Sequence, residues 1–290
     1  TFSVRDVHNS HYSRLCPITT PEGPSVGMVN QLAIYTKINE YGFLEAPYYD
    51  VVNKFSFEKD NLKLLKNRLF GENIVVKGKT IAKKNGIVTE KILESLKKSG
   101  IKEFKVVPFI SNQIIYLDAD NEIQHKIASL SIKTDTYGNI IDEKTYVRDG
   151  QNYSKVDVSQ VDLVDVSPAQ IAGLGLALIP FAGNDDPNRT LIGAKTQTQS
   201  VPILKNESPI VGTGFEEDAV KATGRTVCAE DQGEIIYSDA NKVVVEYGEG
   251  NKKYKKQYDV EKFIRTNQNT CFSQIPIVFP GQKVKKGDVI

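Results

Sequence analysis

Glu234-Ile235-Ile236-Tyr237 and Lys242-Val243-Val244-Val245-Glu246-Tyr247 are short runs of β-branched and aromatic residues, and they read as strands. The same character recurs upstream at Ile114-Ile115-Tyr116-Leu117. Two further stretches, Gly78-Lys79-Thr80-Ile81-Ala82-Lys83-Lys84-Asn85-Gly86 and Gly281-Gln282-Lys283-Val284-Lys285-Lys286-Gly287-Asp288, resemble each other as turn-and-strand units of small β-barrels. Helix signals are short by comparison. Thr89 can cap a helix whose stripe is Ile92, Leu93 and Leu96 and which ends at Ser99-Gly100. Ser167-Pro168 starts another that should run to near Pro180, and Asp185-Asp186-Pro187 a third that runs to about Gln199. The fold class is therefore α+β, mostly β, in several parts with short helices.

With 290 residues, 40% of them hydrophobic, the chain can fill two or three cores rather than one. Lys and Arg number 37 against 36 Asp and Glu, so no global positive field marks a nucleic-acid binder and any such contact must be local. Cys16, Cys228 and Cys271 form no C-x-x-C pair, which argues against a zinc site or a disulfide framework and fits a reducing compartment. No run approaches the ~20 apolar residues that span a bilayer, and no membrane role is expected. Both ends read as cuts through a longer chain.

Composition divides the sequence at about 50 and 160. Residues 1–50 are rich in Pro, Gly, His and Tyr, and Thr20-Pro21-Glu22-Gly23-Pro24 forbids regular structure. The apolar run Val26-Gly27-Met28-Val29-Asn30-Gln31-Leu32-Ala33-Ile34-Tyr35 that follows reads as a buried helix or strand. Residues 51–160 shift to Lys, Ile and Asn, with no constellation assignable to a substrate.

Ligand-type residues are present but poorly arranged. His8, His11 and Cys16 lack a second cluster to close a metal shell and read as hydrogen-bonded loop residues, with Arg5 and Arg14 beside them able to reach phosphates. Asp185 and Asp186 read as helix caps rather than a catalytic pair. The helix after them places Asn188, Lys195 and Gln199 on one face, with Arg189 and Thr196 adjacent and almost no carboxylate after the cap. Amides, hydroxyls and cations without carboxylates suit phosphates and sugar hydroxyls. Arg265-Thr266-Asn267-Gln268-Asn269-Thr270 repeats that character. No G-x-S-x-G or phosphate-cradling glycine loop occurs, and the hairpin at 281–290 resembles biotinyl and lipoyl carrier domains without their modifiable lysine context.

Together, Arg5-Asp6-Val7-His8, Cys16-Pro17-Ile18, Thr20-Pro21-Glu22-Gly23-Pro24, Asn39-Glu40-Tyr41-Gly42-Phe43, Asp185-Asp186-Pro187-Asn188-Arg189, Val211-Gly212-Thr213-Gly214 and Arg265-Thr266-Asn267-Gln268-Asn269-Thr270-Cys271 resemble, in order, the signatures of the beta subunit of bacterial and plastid DNA-directed RNA polymerase. The resemblance implies a fork and rifamycin-pocket region at 1–50, a variable β-rich external domain at 51–160 and the start of a hybrid-binding β-barrel domain at 161–290. It places Pro21, Glu22, Gly23, Ser25 and Val29 against the RNA end, and Arg189 and Gln199 toward the incoming nucleotide and RNA backbone. Thr19 stands where the family usually has Glu, Ser25 and Lys195 where it usually has Asn, and Thr198 where it often has Arg.

The expected role is one wall of the RNA–DNA hybrid channel, with positioning of RNA and NTP during transcription. No catalytic residue and no metal ligand is expected in this chain, since the family holds its magnesium on the beta-prime subunit. Expected partners are the beta-prime, alpha, omega and sigma subunits, template DNA, transcript and NTP, in a bacterial cytoplasm or a plastid. The competing reading is a non-catalytic β-rich carrier or interaction module.

Overall fold

The computed structural model describes the chain except residues 1, 58–61, 66, 77–78, 249 and 251–252. It contains many short strands and few helices, and divides into two compact units, Thr1–Gly173 and Leu174–Ile290. No helix among the described residues is long and apolar enough to cross a membrane.

In the first unit two long strands, Leu44–Ser56 and Glu103–Leu117, pair antiparallel, with register shifts after Tyr49 and Val52 that bend the ribbon. Leu44–Ser56 also pairs with Lys37–Ile38 and with Leu163–Asp165, and the sheet continues through Lys126–Ala128, Lys144–Asp149 and Asn152–Asp157. Lys126–Ala128 runs parallel to Leu163–Asp165, so the sheet is mixed. The strand Leu44–Ser56 passes through position 50 and Leu163–Asp165 lies beyond 160. The compositional shifts therefore do not coincide with the edges of this unit.

Residues between the long strands close a core of Phe55, Leu65, Phe70, Leu96, Phe104 and Phe109. The helix Glu90–Lys98 covers it as its spacing predicts, with Ile92 and Leu93 packed beside buried Leu96. Glu90 in the first turn and Lys97 and Lys98 in the last complement the helix dipole. The helix closes with Gly100 at φ +76°, the Gly100 N–H donating to Lys97 O and the Ile101 N–H to Leu96 O. Ile101 then packs on the same core, which completes a Schellman stop.

Two expectations fail for nonlocal reasons. The run from Val26 to Tyr35 is neither helix nor strand; Val26, Met28 and Val29 are exposed, and only isolated bridges Leu15↔Leu32 and Ala33↔Gly173 order its end. The helix from Pro168 is broken into a 3-10 turn Pro168–Ile171 and a separate helix Leu174–Ala177. At the break Ala172 is extended and accepts a hydrogen bond from Ile34 N, while a Cβ on Gly173 would lie 2.9 Å from Cys16 Cβ. Close approach of the chain from residues 16–34 outcompetes helix continuation there.

In the second unit Tyr254–Asp259, Lys242–Tyr247, Gly233–Ser238 and Lys283–Val284 form a four-stranded antiparallel sheet. Val243, Val245 and Tyr247 alternate inward onto Ile235, Val278, Val284 and Ile290. Lys283–Val284 supports the strand expected after Gly281; its upstream look-alike pairs Lys79–Ala82 with Ile74–Val76, and Gly78 lies outside the described residues. The helix expected from Pro187 spans Pro187–Gln197.

Phe104 packs its ring 5.4–5.7 Å from those of Phe55, Phe57 and Phe70. Phe104→Ala should lower unfolding stability by about 3–5 kcal/mol, the range for emptying a buried aromatic site. A loss of under about 1 kcal/mol in urea titration would show that this core is not closed.

Candidate functional site

The first group of site residues lies in and around the exposed loop at 20–29. Its shape is set locally: Thr20 Oγ1 accepts from Gly27 N at 2.9 Å and donates to Val29 O at 3.0 Å, and Val26 N donates to Gly23 O at 3.1 Å. Gly27 has φ +78°, and a Cβ there would strike Arg5 O at 2.8 Å. The main chain of Arg5 thus lies against the loop, and its Nη1 donates to Val26 O at 3.3 Å. Glu22, Gly23, Ser25 and Val29 are exposed and Pro21 half-buried, so the loop presents these side chains outward. Thr19 is buried and bonded to Cys16 Sγ, so this substitution is absorbed inside the loop.

Arg14 does not reach a phosphate. Its side chain is interior, the residue being 2% exposed, and all five N–H donors have partners. Nε donates to Leu44 O, Nη1 to Ser10 O and Tyr12 O, and Nη2 to Leu117 O and, at 2.6 Å, to Glu122 Oε2. The sequence placed a cation beside a Pro/Gly loop; the fold turns it inward because carbonyls from three separate segments converge on it.

Glu122 is 5% exposed and anchors a network the sequence reading missed. It accepts from Arg14, from Tyr48 OH at 2.9 Å, and from Arg148 on the strand Lys144–Asp149. Against burial that alone would lower it, the Glu122 carboxylate holds the Arg148 guanidinium above its ordinary pKa. Arg148 also stacks 4.1 Å over the Tyr12 ring, and Tyr12 OH donates to Asp165 Oδ2 at 3.1 Å. Gln170 Nε2 bridges Asp165 Oδ1 and Ser13 Oγ at 3.2 and 2.7 Å. Burial raises the hydroxyl pKa of both Tyr12 and Tyr48. In sequence Glu122 sits in Asp118-Ala119-Asp120-Asn121-Glu122, which looks like a solvated acidic run, and its partners lie 26 to 108 positions away; no local signal could have found it.

His8 and His11 are occupied in their own turn, His8 Nδ1 accepting from Ser10 N and His11 Nδ1 from His8 N. Burial and then His8 lower the pKa of His11. No group of three or more His, Cys, Asp or Glu that could hold a metal occurs among the described residues.

The second group lies on the helix Pro187–Gln197. Asp186 caps it by accepting from Asn188 N at 3.0 Å, and Asp185 accepts from Asp186 N and Thr190 Oγ1. Thr190 and Ala194 are its buried positions, and Ala194 packs so closely on the helix Leu174–Ala177 that a Cβ on Gly175 would lie 3.2 Å from Ala194 Cβ. That seam leaves Asn188, Arg189, Lys195, Thr196 and Gln199 exposed, with Gln199 in the turn beyond the helix. Arg189 makes no ion pair among the described residues. Thr198 Oγ1 folds back to donate to Lys195 O at 2.6 Å. The Arg265 cluster differs: it closes the hairpin between Ile264–Arg265 and Cys271–Phe272, where Arg265 Nε donates to Asn269 Oδ1 at 3.0 Å.

Two family models match the chain. Residues 1–38 match RNA polymerase Rpb2, domain 3, and residues 101–167 match the RNA polymerase beta subunit external 1 domain. The DNA-directed RNA polymerase subunit beta of Dehalococcoides mccartyi is 38% identical over 289 residues and that of Caldicellulosiruptor bescii 39% over 289. The same subunit of Chloroflexus aggregans is 33% identical over 330 residues. Each alignment covers 100% of this chain, which spans 22%, 19% and 26% of those relatives.

Burial, opposed by Arg148 and the Tyr12 hydrogen bond, pushes the Asp165 carboxyl up to about 6 from 3.8. A carboxyl raised on folding holds its proton more tightly in the folded chain. Its stabilising contribution is therefore full below about pH 4 and is lost as pH rises through about 6, a swing of about 3 kcal/mol for a two-unit shift. The stability difference between the wild-type chain and Asp165→Asn should change by roughly that amount between pH 4 and pH 7 in urea titrations. Parallel pH profiles would show that folding does not raise the Asp165 pKa.

Proposed function

Along its whole length the chain is homologous to one segment of the bacterial-type RNA polymerase beta subunit, and from that premise we propose that it is part of a DNA-directed RNA polymerase. In this reading it forms part of the wall of the RNA–DNA hybrid channel and positions RNA and the incoming NTP. The assembled enzyme performs nucleotidyl transfer on a DNA template, with the beta-prime, alpha, omega and sigma subunits as partners. The reacting magnesium belongs to the beta-prime subunit, and this chain contributes binding and orientation rather than bond chemistry.

The observation that carries the reading is the exposed face of Asn188, Arg189, Lys195 and Gln199. Both nearby carboxylates are engaged at the helix start, Asp186 by Asn188 N and Asp185 by Asp186 N and Thr190 Oγ1. Arg189 in the first helical turn is thus exposed to solvent, with a planar fork of donors suited to phosphate oxygens. The loop at 20–29 supports the same reading from the other unit. Its outward Glu22 is compatible with RNA as an acceptor for sugar hydroxyls or base amino groups.

In the enzyme assembled with the full-length subunit, Arg189→Ala should raise the apparent KM for NTP on the order of tenfold, the loss expected for one charge-assisted hydrogen bond, with unchanged assembly. An unchanged KM together with a lowered melting temperature would make Arg189 a structural residue and overturn the placement of the nucleotide here.

A further inference from the structure

The loop at 20–29 is exposed, and its place is fixed at its neck. Cys16 N donates to Gln31 O at 2.8 Å and Ala33 N to Arg14 O at 2.9 Å. Thr36 Oγ1 straddles Ser13 O and Arg14 O at 3.0 and 3.1 Å. Arg14 therefore belongs to the neck through its backbone and to the buried interior through its side chain. Its strongest anchor is the Glu122 carboxylate at 2.6 Å. Glu122 ends the short helix Ala119–Glu122, which Asp118 caps by accepting from Asn121 N at 2.8 Å, and it also binds Arg148 and Tyr48. The neck lies in the stretch matched to Rpb2 domain 3, and Glu122 and Arg148 in the stretch matched to the external 1 domain. One buried carboxylate thus couples two domains of the family within a single compact unit.

We infer that Glu122 is a positioning residue for the loop at 20–29, acting through Arg14. The consequence for catalysis rests on the proposed RNA-facing role of that loop; the positioning itself does not. Neutralising Glu122 leaves two guanidiniums facing one another in a buried site, and Arg14 then gains by moving its side chain toward water. Because Arg14 O and Cys16 N hold the two rungs of the neck, that movement shifts the loop. A residue that served only general stability would loosen the paired strands Leu44–Ser56 and Glu103–Leu117 to the same degree.

The test uses polymerase assembled with the full-length subunit and compares wild type, Glu122→Gln, Glu22→Gln and the double variant by amide hydrogen exchange and single-nucleotide addition. Glu122→Gln should speed exchange across residues 14–33 by about tenfold while leaving 103–117 unchanged. It should lower kcat for nucleotide addition with little change in KM, and the double variant should lose less than the product of the single effects. Should Glu122→Gln not assemble, Glu122→Asp keeps the charge, shortens its reach by one methylene, and should give the same local exchange pattern. Unchanged exchange at 14–33, or equal acceleration at 103–117, overturns the positioning role. Accelerated exchange at 14–33 with wild-type kinetics in both single variants upholds the positioning and instead refutes the RNA-facing reading of the loop.

Discussion

A single carboxylate, Glu122, sits between the guanidiniums of Arg14 and Arg148 inside the first unit, and the placement of the N-terminal segment follows from it. Buried charges are tolerable only when paired and fully hydrogen-bonded, and removing one partner of such a set typically costs about 3–5 kcal/mol. The requirement is met closely here. Glu122 accepts from two guanidiniums and a tyrosine, and Arg14 finds partners for all five donors. These groups come from the N-terminal segment, the long strand pair, the helix Ala119–Glu122 and the strand Lys144–Asp149, so the site forms only when all four are in place. It rewards one arrangement of them, and the exposed loop inherits its position from that arrangement.

The second unit reaches an outward polar surface by different means. The helix Pro187–Gln197 is held by small residues, Ala194 against Gly175 and Gly193 against Ile179, so the seam takes up little of the helix circumference. The rest of the circumference is left to Asn188, Arg189, Lys195 and Gln199. Negative charge is confined to the helix start, where it meets unsatisfied N–H groups. This helix thus places donors and cations outward, which is what recognition of phosphate and sugar asks of a protein.

What was legible in the sequence was what short-range physics decides. The helix at 90–98 was readable because its apolar stripe and terminating glycine lie close together in the chain, although Thr89 at its N-cap makes no side-chain capping bond. The cap at Asp186 and the β-branched run at 242–247 were readable for the same reason. The helix from Pro168 was misread because its break is imposed by Cys16 and Ile34, far away in the chain. Arg14 looked like a phosphate ligand and is interior, while Glu122, which carried no local signal, is the hub. In both cases the deciding neighbours are distant in sequence, such as Leu117 for Arg14 and Arg148 for Glu122. In the Arg265 cluster, Arg265, Thr266, Asn269 and Thr270 bond to one another across their own hairpin. Family signatures bridged part of this gap by marking segments, but not the direction in which each side chain turns.

The most direct measurement is photocrosslinking in an assembled elongation complex with end-labelled RNA. A photoreactive residue is placed at Ser25, at Asn188, or, as a control on an exposed turn elsewhere, at Tyr41. The account predicts crosslinks from Ser25 to the transcript near its growing end and from Asn188 to the RNA or the incoming nucleotide, with none from Tyr41. Labelling from Tyr41 alone, or no labelling from Ser25 and Asn188 in an active complex, would contradict it.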